Sequence, residues 1–113
     1  MPNKDSLYFL HMLEMARKAL EKIAGLEQED YNDDENLRLA LTHPVQIIGE
    51  AASRVSLQTR LAYPEIPWHE ITGMRNRIVH DYLNIDEDVV WQVVIDDLPA
   101  IINQLEKIIS AET

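Results

Sequence analysis

Residues 5–24, Asp5-Ser6-Leu7-Tyr8-Phe9-Leu10-His11-Met12-Leu13-Glu14-Met15-Ala16-Arg17-Lys18-Ala19-Leu20-Glu21-Lys22-Ile23-Ala24, decide the fold class. Leu7, Leu10, Leu13, Leu20 and Ile23, with Ala16 and Ala24, recur at three- and four-residue spacing, which lays one apolar stripe along an α-helix. Asp5-Ser6 offers an N-cap and Gly25 a stop, so the spacing predicts a first helix over 5–24. The same rhythm returns in Leu37, Leu41, Ile48, Ala51, Ala52 and Val55, with Asp33-Asp34 as a cap and a kink expected at Pro44, which lacks the N–H the helix ladder needs. Between these two helices, Glu27–Glu35 reads as an acidic, solvated link.

Further along, Tyr63-Pro64-Glu65-Ile66-Pro67-Trp68 is a rigid connection, because two prolines so close cannot both sit inside a helix. Pro67 suits the first turn of a third helix carrying Ile71, Met74, Ile78 and Val79 and ending near Tyr82. Asp86 can cap a fourth helix through Val89, Val90, Val93 and Val94, with a kink or restart at Pro99 before Ile101, Ile102, Leu105, Ile108 and Ile109. The expected architecture is all-α: an antiparallel four-helix bundle, counted as five if a proline kink divides a helix, in a single domain over 1–113.

Composition agrees. The chain has 113 residues, 46% of them hydrophobic, and its 3 Gly and 5 Pro leave little material for hairpins. Cysteine is absent, which removes disulfides and thiolate metal sites. The first six residues show no basic region followed by an apolar core, and no stretch approaches a membrane span, so a cytoplasmic protein with no membrane contact is expected. The formal charge of −10 argues against broad nucleic-acid binding, DNA included, and any RNA-directed activity needs a local basic patch.

Such a patch exists in Arg75-Asn76-Arg77-Ile78-Val79-His80-Asp81-Tyr82. Guanidinium forks match phosphate oxygens, so Arg75 and Arg77 are candidate RNA-phosphate ligands. An imidazole moves protons near neutral pH, which makes His80 a candidate catalyst, and a guanidinium such as that of Arg75 can stabilise the charge on a pentacoordinate phosphorus. On a straight helix Arg75 and His80 lie roughly 140° apart, so the helix must distort near its end or Arg75 must reach around. One histidine is also one proton-handling group short, and a two-fold dimer bringing two copies of this segment together supplies the second. An Arg and a His near a helix C-terminus are equally explained by the helix dipole, and Tyr82 by a half-buried aromatic, so spacing by itself leaves catalysis open.

The chain resembles the HepT-like toxins of the HEPN superfamily. Arg75-x-x-x-x-His80-x-Tyr82 is similar to their signature, and Ile47-Ile48-Gly49-Glu50-Ala51-Ala52, Pro64-Glu65-Ile66-Pro67-Trp68, the Trp91 region and Asp97-Leu98-Pro99 resemble their other landmarks in order. Pro44 departs from the family's second helix, which usually reads as unbroken there. The resemblance implies a HEPN-like homodimer acting as a metal-independent endoribonuclease, with Arg75 and His80 catalytic and Asn76 assisting. It also implies that a MntA-type minimal nucleotidyltransferase antitoxin silences the toxin by AMPylation of Tyr82 from ATP. The protein needs no cofactor on this reading. The rival is a non-catalytic nucleotide-binding or scaffold module partnering a nucleotidyltransferase.

Other candidates read as structural. His11, His43 and His69 lack metal-ligand spacing. Trp68 and Trp91 are core anchors more readily than base-stacking platforms. Gly49, costly inside a helix, marks close approach of another helix or protomer and is assigned with Glu50 to packing or a dimer contact, where Glu50 can pair with Arg75 or Arg77.

Overall fold

The computed structural model describes residues 3–81 and 84–112, with the backbone alone at Asn3, His80 and Asp81. Its helices are α1 (Asn3–Ile23), α2 (Gln28–Asn32), α3 (Glu35–Arg54), α4 (Leu57–Ala62), α5 (Trp68–Thr72), α6 (Met74–Ile78), α7 (Glu87–Gln92) and α8 (Leu98–Glu112), with a π-helical turn over Val93–Asp97 joining the last two. A short antiparallel pair, β1 (Val79–Asp81) with β2 (Asn84–Ile85), follows α6. The fold is all-α, as expected, and the hairpin is a local detail within it.

Contacts far apart in sequence fix the helix directions. Asp5 at the start of α1 meets Ser56 and Thr59 beyond the end of α3, so α1 and α3 run antiparallel. Arg17 pairs with Glu106 at 2.9 Å, Phe9 packs on Tyr63, and Tyr63 donates to Glu112, which sets α8 antiparallel to α1. Gln104 reaches the Glu65 carbonyl while Arg77 reaches Asp97, so the α5–α6 segment runs opposite to α8. The result is an up-down-up-down bundle with the short α2 and α4 as braces.

All four limbs feed one core, including Phe9, Met12, Leu41, Ile48, Ile71, Met74, Ile78, Val90, Leu98 and Leu105, each nearly or wholly buried. Trp91 belongs to this core, and half-buried Trp68 leans on Phe9 with ring centroids 5.8 Å apart while its indole N–H donates to the Tyr63 carbonyl, so both act as anchors. Among the described residues no helix is long and apolar enough to cross a membrane.

The first helix begins at Asn3 and not at a cap on Asp5-Ser6. Asp5 is instead buried, its carboxylate accepting from the Ser56 N–H at 3.0 Å, the Ser56 hydroxyl at 2.6 Å and the Thr59 hydroxyl at 2.6 Å. Gly25 ends α1's final turn with φ of 78°, where the missing side chain removes the steric penalty. Asp34 caps α3 through the Leu37 N–H, and α3 continues through Pro44, whose missing N–H leaves the Ala40 carbonyl without its usual donor.

The acidic stretch 27–35 is more than a solvated link. It contains α2, closed by a capping box between Glu27 and Asp30, and it buries Tyr31 completely. Tyr31 packs on Trp91 with tilted rings, centroids 5.4 Å apart, and donates its hydroxyl to Glu87 at 2.5 Å, tying α2 to α7. One aromatic among eight polar or acidic neighbours gives no periodic signal, which is why the link hid a core residue.

The third helix also departs from expectation. Instead of running to near Tyr82, it breaks at Gly73 into α5 and α6 and ends at Ile78. In the last column the expected disturbance at Pro99 is the π turn: the Leu98 N–H bonds the Val93 carbonyl five residues back. Widening the ladder just before Pro99 relieves the clash between its ring and the carbonyl four residues earlier, so the column continues into α8 without ending.

Candidate active site

Arg75, Asn76 and Arg77 lie on α6, a five-residue helix with no side-chain N-cap. So short a helix is not stable by itself, and packing must hold it. Met74 and Ile78, one turn apart, are its buried anchors, and Ile71 anchors α5 just before it. Against this elbow lies Gly49 of α3: a Cβ built there would stand 3.1 Å from the Ile71 carbonyl oxygen and 3.6 Å from Met74 Cβ. Gly49 is buried in the protomer's own packing, where its close approach is to the site segment. Its neighbour Glu50 is exposed beside a shallow hollow lined by Tyr8, His11, Ile47, Ala51 and Arg54.

With the anchors inward, Arg75, Asn76 and Arg77 are exposed. Two residues apart on a helix means about 200° of rotation, so Arg75 and Arg77 leave α6 on nearly opposite sides. Arg77 faces the π turn and pairs with Asp97 at 3.2 Å. Among the described residues Arg75 has no carboxylate partner within salt-bridge distance. The two arginines therefore have different surroundings, a distinction their spacing did not reveal.

His80 is not on the helix. Its backbone lies in β1, where Val79 pairs with Ile85 and Asp81 with Asn84, so His80 is the extra residue of a bulge. Bulges of this kind bend a strand and re-aim what it carries, and they are common beside active sites. Between Arg75 and His80 the chain thus changes from helix to strand. The Asp86 N–H closes the segment onto the Ile78 carbonyl at 2.6 Å, and the Asp86 carboxylate caps α7 through the Val89 N–H at 3.2 Å. Tyr82, the expected modification site, lies outside the described residues, as does the His80 side chain.

Beside α6 a groove of about 510 Å³ runs between α5–α6 and α8, floored by Ile71, Met74, Ala100 and Ile101 and rimmed by Glu70, Arg77, Asp96 and Asp97. Asp97 was read from sequence only as part of a landmark; the acid before Leu98-Pro99 was the available signal for its role. Among the described residues no group of three or more His, Asp or Glu is placed to hold a metal ion.

The bundle and its exposed arginine segment before a bulged histidine define a small HEPN-type protein. A family model described as "Ribonuclease HepT-like" matches residues 12–108, so the chain belongs to the HepT-like ribonuclease family. Relatives agree along most of their length. A protein of Methanocaldococcus jannaschii, named by inference as an RNase, is 31% identical over 107 residues, covering 94% of this chain and 98% of its own. A protein of Thermococcus cleftensis, named by inference as ribonuclease HepT, is 32% identical over 100 residues, covering 85% of this chain and 91% of its own. Another, from Caldanaerobacter subterraneus subsp. tengcongensis and also named by inference as an RNase, is 29% identical over 105 residues, covering 93% and 94%. No solved structure gives a significant match.

Proposed function

We propose that this chain is the toxin of a two-component toxin–antitoxin pair, an endoribonuclease working without metal as a homodimer. The observation that carries the reading is an exposed Arg75-Asn76 pair on α6, five and four residues before a histidine on a strand bulge, in a chain of the HepT-like ribonuclease family. In this reaction His80 takes the proton of a ribose 2′-OH and the 2′ oxygen attacks the adjacent phosphorus. The bond from phosphorus to the 5′ oxygen breaks, and His80 of the second protomer protonates that leaving oxygen. The products are a 2′,3′-cyclic phosphate and a 5′-hydroxyl. Arg75 stabilises the charge on the pentacoordinate phosphorus and Asn76 orients the phosphate or the imidazole.

The dimer supplies the second imidazole and a second Arg75, which makes one groove locally basic on a chain of net charge −10. Exposed Glu50 is the contact assigned to that interface, beside the buried Gly49 that shapes it from within. Silencing follows when a minimal nucleotidyltransferase directs the Tyr82 hydroxyl onto the α-phosphorus of ATP, expelling pyrophosphate. The AMP phosphate then stands in sequence next to the groups that hold RNA phosphate.

The test is incubation of purified protein with labelled RNA in EDTA. Cleavage to 5′-hydroxyl ends, abolished by His80→Ala with the helical signal unchanged, is expected; persistence in His80→Ala overturns the assignment. Tyr82→Phe is expected to cleave RNA yet resist silencing by ATP and the nucleotidyltransferase. A single nucleotide needs less basic surface than an RNA strand, so the acidic balance weighs less against a second reading, a non-catalytic nucleotide-binding module, for which wild type binds nucleotide and cuts nothing.

A further inference from the structure

We infer that Arg77 is a positioning residue and not a phosphate ligand: its ion pair with Asp97 is a strut that fastens α6 to the π turn and so sets the placement of Arg75. Three observations converge. Arg77 and Arg75 leave the helix about 200° apart, so within one protomer they cannot close on the same phosphate. The side on which Arg77 sits is acidic, with Glu70, Asp96 and Asp97 around the one guanidinium, and a phosphate would meet net repulsion there. The pair itself is made at 3.2 Å, with Arg77 and Asp97 about 40% exposed, enough contact to hold a helix flank and too much solvent for deep burial.

The geometry of the last column explains how Asp97 comes to be there. The π turn over Val93–Asp97 ends at Asp97, immediately before Leu98, and its widened ladder is the one place where the α7–α8 column departs from α-helical spacing. Single-turn π insertions recur at functional sites because they re-aim side chains without ending a helix. Here the re-aimed carboxylate meets the flank of a five-residue helix whose buried anchors are Met74 and Ile78. Those two fix α6 from below, and the strut restrains rotation about them.

The catalytic arm of the test rests on the RNase reading above; a second arm does not. Arg77→Met and Asp97→Asn are each expected to lower kcat about two- to fivefold with KM little changed, and the double variant to lose no more than either alone. The exchange Arg77→Asp with Asp97→Arg recovers part of the loss. RNA binding by each variant keeps the wild-type salt slope, whereas Arg75→Ala lowers that slope by about 0.7 for each Arg75 of the dimer that meets a phosphate. If Arg77→Met lowers the slope as Arg75→Ala does, and Asp97→Asn tightens RNA binding by freeing a guanidinium, the strut is overturned and Arg77 is a phosphate ligand. Should wild type cut no RNA, the RNase reading fails separately, and amide exchange decides: amides 74–79 are expected to exchange about fivefold faster in both variants, and unchanged exchange overturns the proposal.

Discussion

Asp5 accepts a 2.6 Å hydrogen bond from the Thr59 hydroxyl, joining the first turn of α1 to α4 across 54 positions of sequence. The same carboxylate also receives the Ser56 N–H and hydroxyl. Burial alone would raise its pKa, but the bonds from Ser56 and Thr59 outweigh it and hold the group below its ordinary value. Because the folded pKa is depressed, the stabilisation is present above the unfolded value, near about 3.9, and is lost as pH falls through the folded one. Asp5→Ala leaves three donors unmatched and is expected to cost about 3 kcal/mol in urea unfolding at pH 7. The difference from wild type should shrink at acid pH; a constant difference would contradict the assignment.

Gly49 sets the height of the site segment. Adding a methyl group gains about 1 kcal/mol of helix propensity but drives a Cβ to 3.1 Å from the Ile71 carbonyl, a backbone atom that cannot swing away. Overpacking of this kind costs about 1–3 kcal/mol, so Gly49→Ala is expected to be destabilising by about 1 kcal/mol net. Gly49→Val should cost clearly more. Thermal unfolding of the two variants checks the order.

Tyr31 and Glu87 tie the acidic link to the last helical column. Burial, then the bond to Glu87, raises the Tyr31 pKa well above its ordinary value. A raised folded pKa means the contribution is intact below the unfolded value of about 10 and disappears as pH climbs through the folded one. Tyr31→Phe should cost about 1–3 kcal/mol at neutral pH. Absorbance titration should show Tyr31 ionising only together with alkaline unfolding, and early ionisation would refute the buried placement.

Arg75 is expected to need its planar fork. Arg75→Lys retains the charge but not bidentate geometry, and kcat/KM for RNA should fall about tenfold or more. Equal activity would show that a point charge suffices.

Much of this fold could be read from residue spacing. The apolar stripes of residues 7–24, 37–55 and 101–109 are long enough for the helical period to dominate, and Asp34, Gly25 and Asp86 act as the caps and stop their chemistry suggests. What escaped was short or tertiary. Tyr31 is buried by partners 56 and 60 residues away, and Asp5 is claimed by Ser56 and Thr59 before it can cap its own helix. At the site, the residue types were visible but their placement was not. Met74 and Ile78 continue a helical pattern that Val79 joins equally well, so nothing local announced that the helix stops at Ile78 and that His80 enters a strand. The unlike surroundings of Arg75 and Arg77 depend on where Asp97 lies, which spacing along the chain does not encode.

Asp86 does two things at once: its main chain closes onto Ile78 and its side chain starts α7. The interval between those two residues is therefore a ruler for chain length. Substitutions within it can drift, but gaining or losing one residue would make the closing bond and the cap compete for different positions. Natural variation across this interval should take the form of exchanges and not of insertions or deletions.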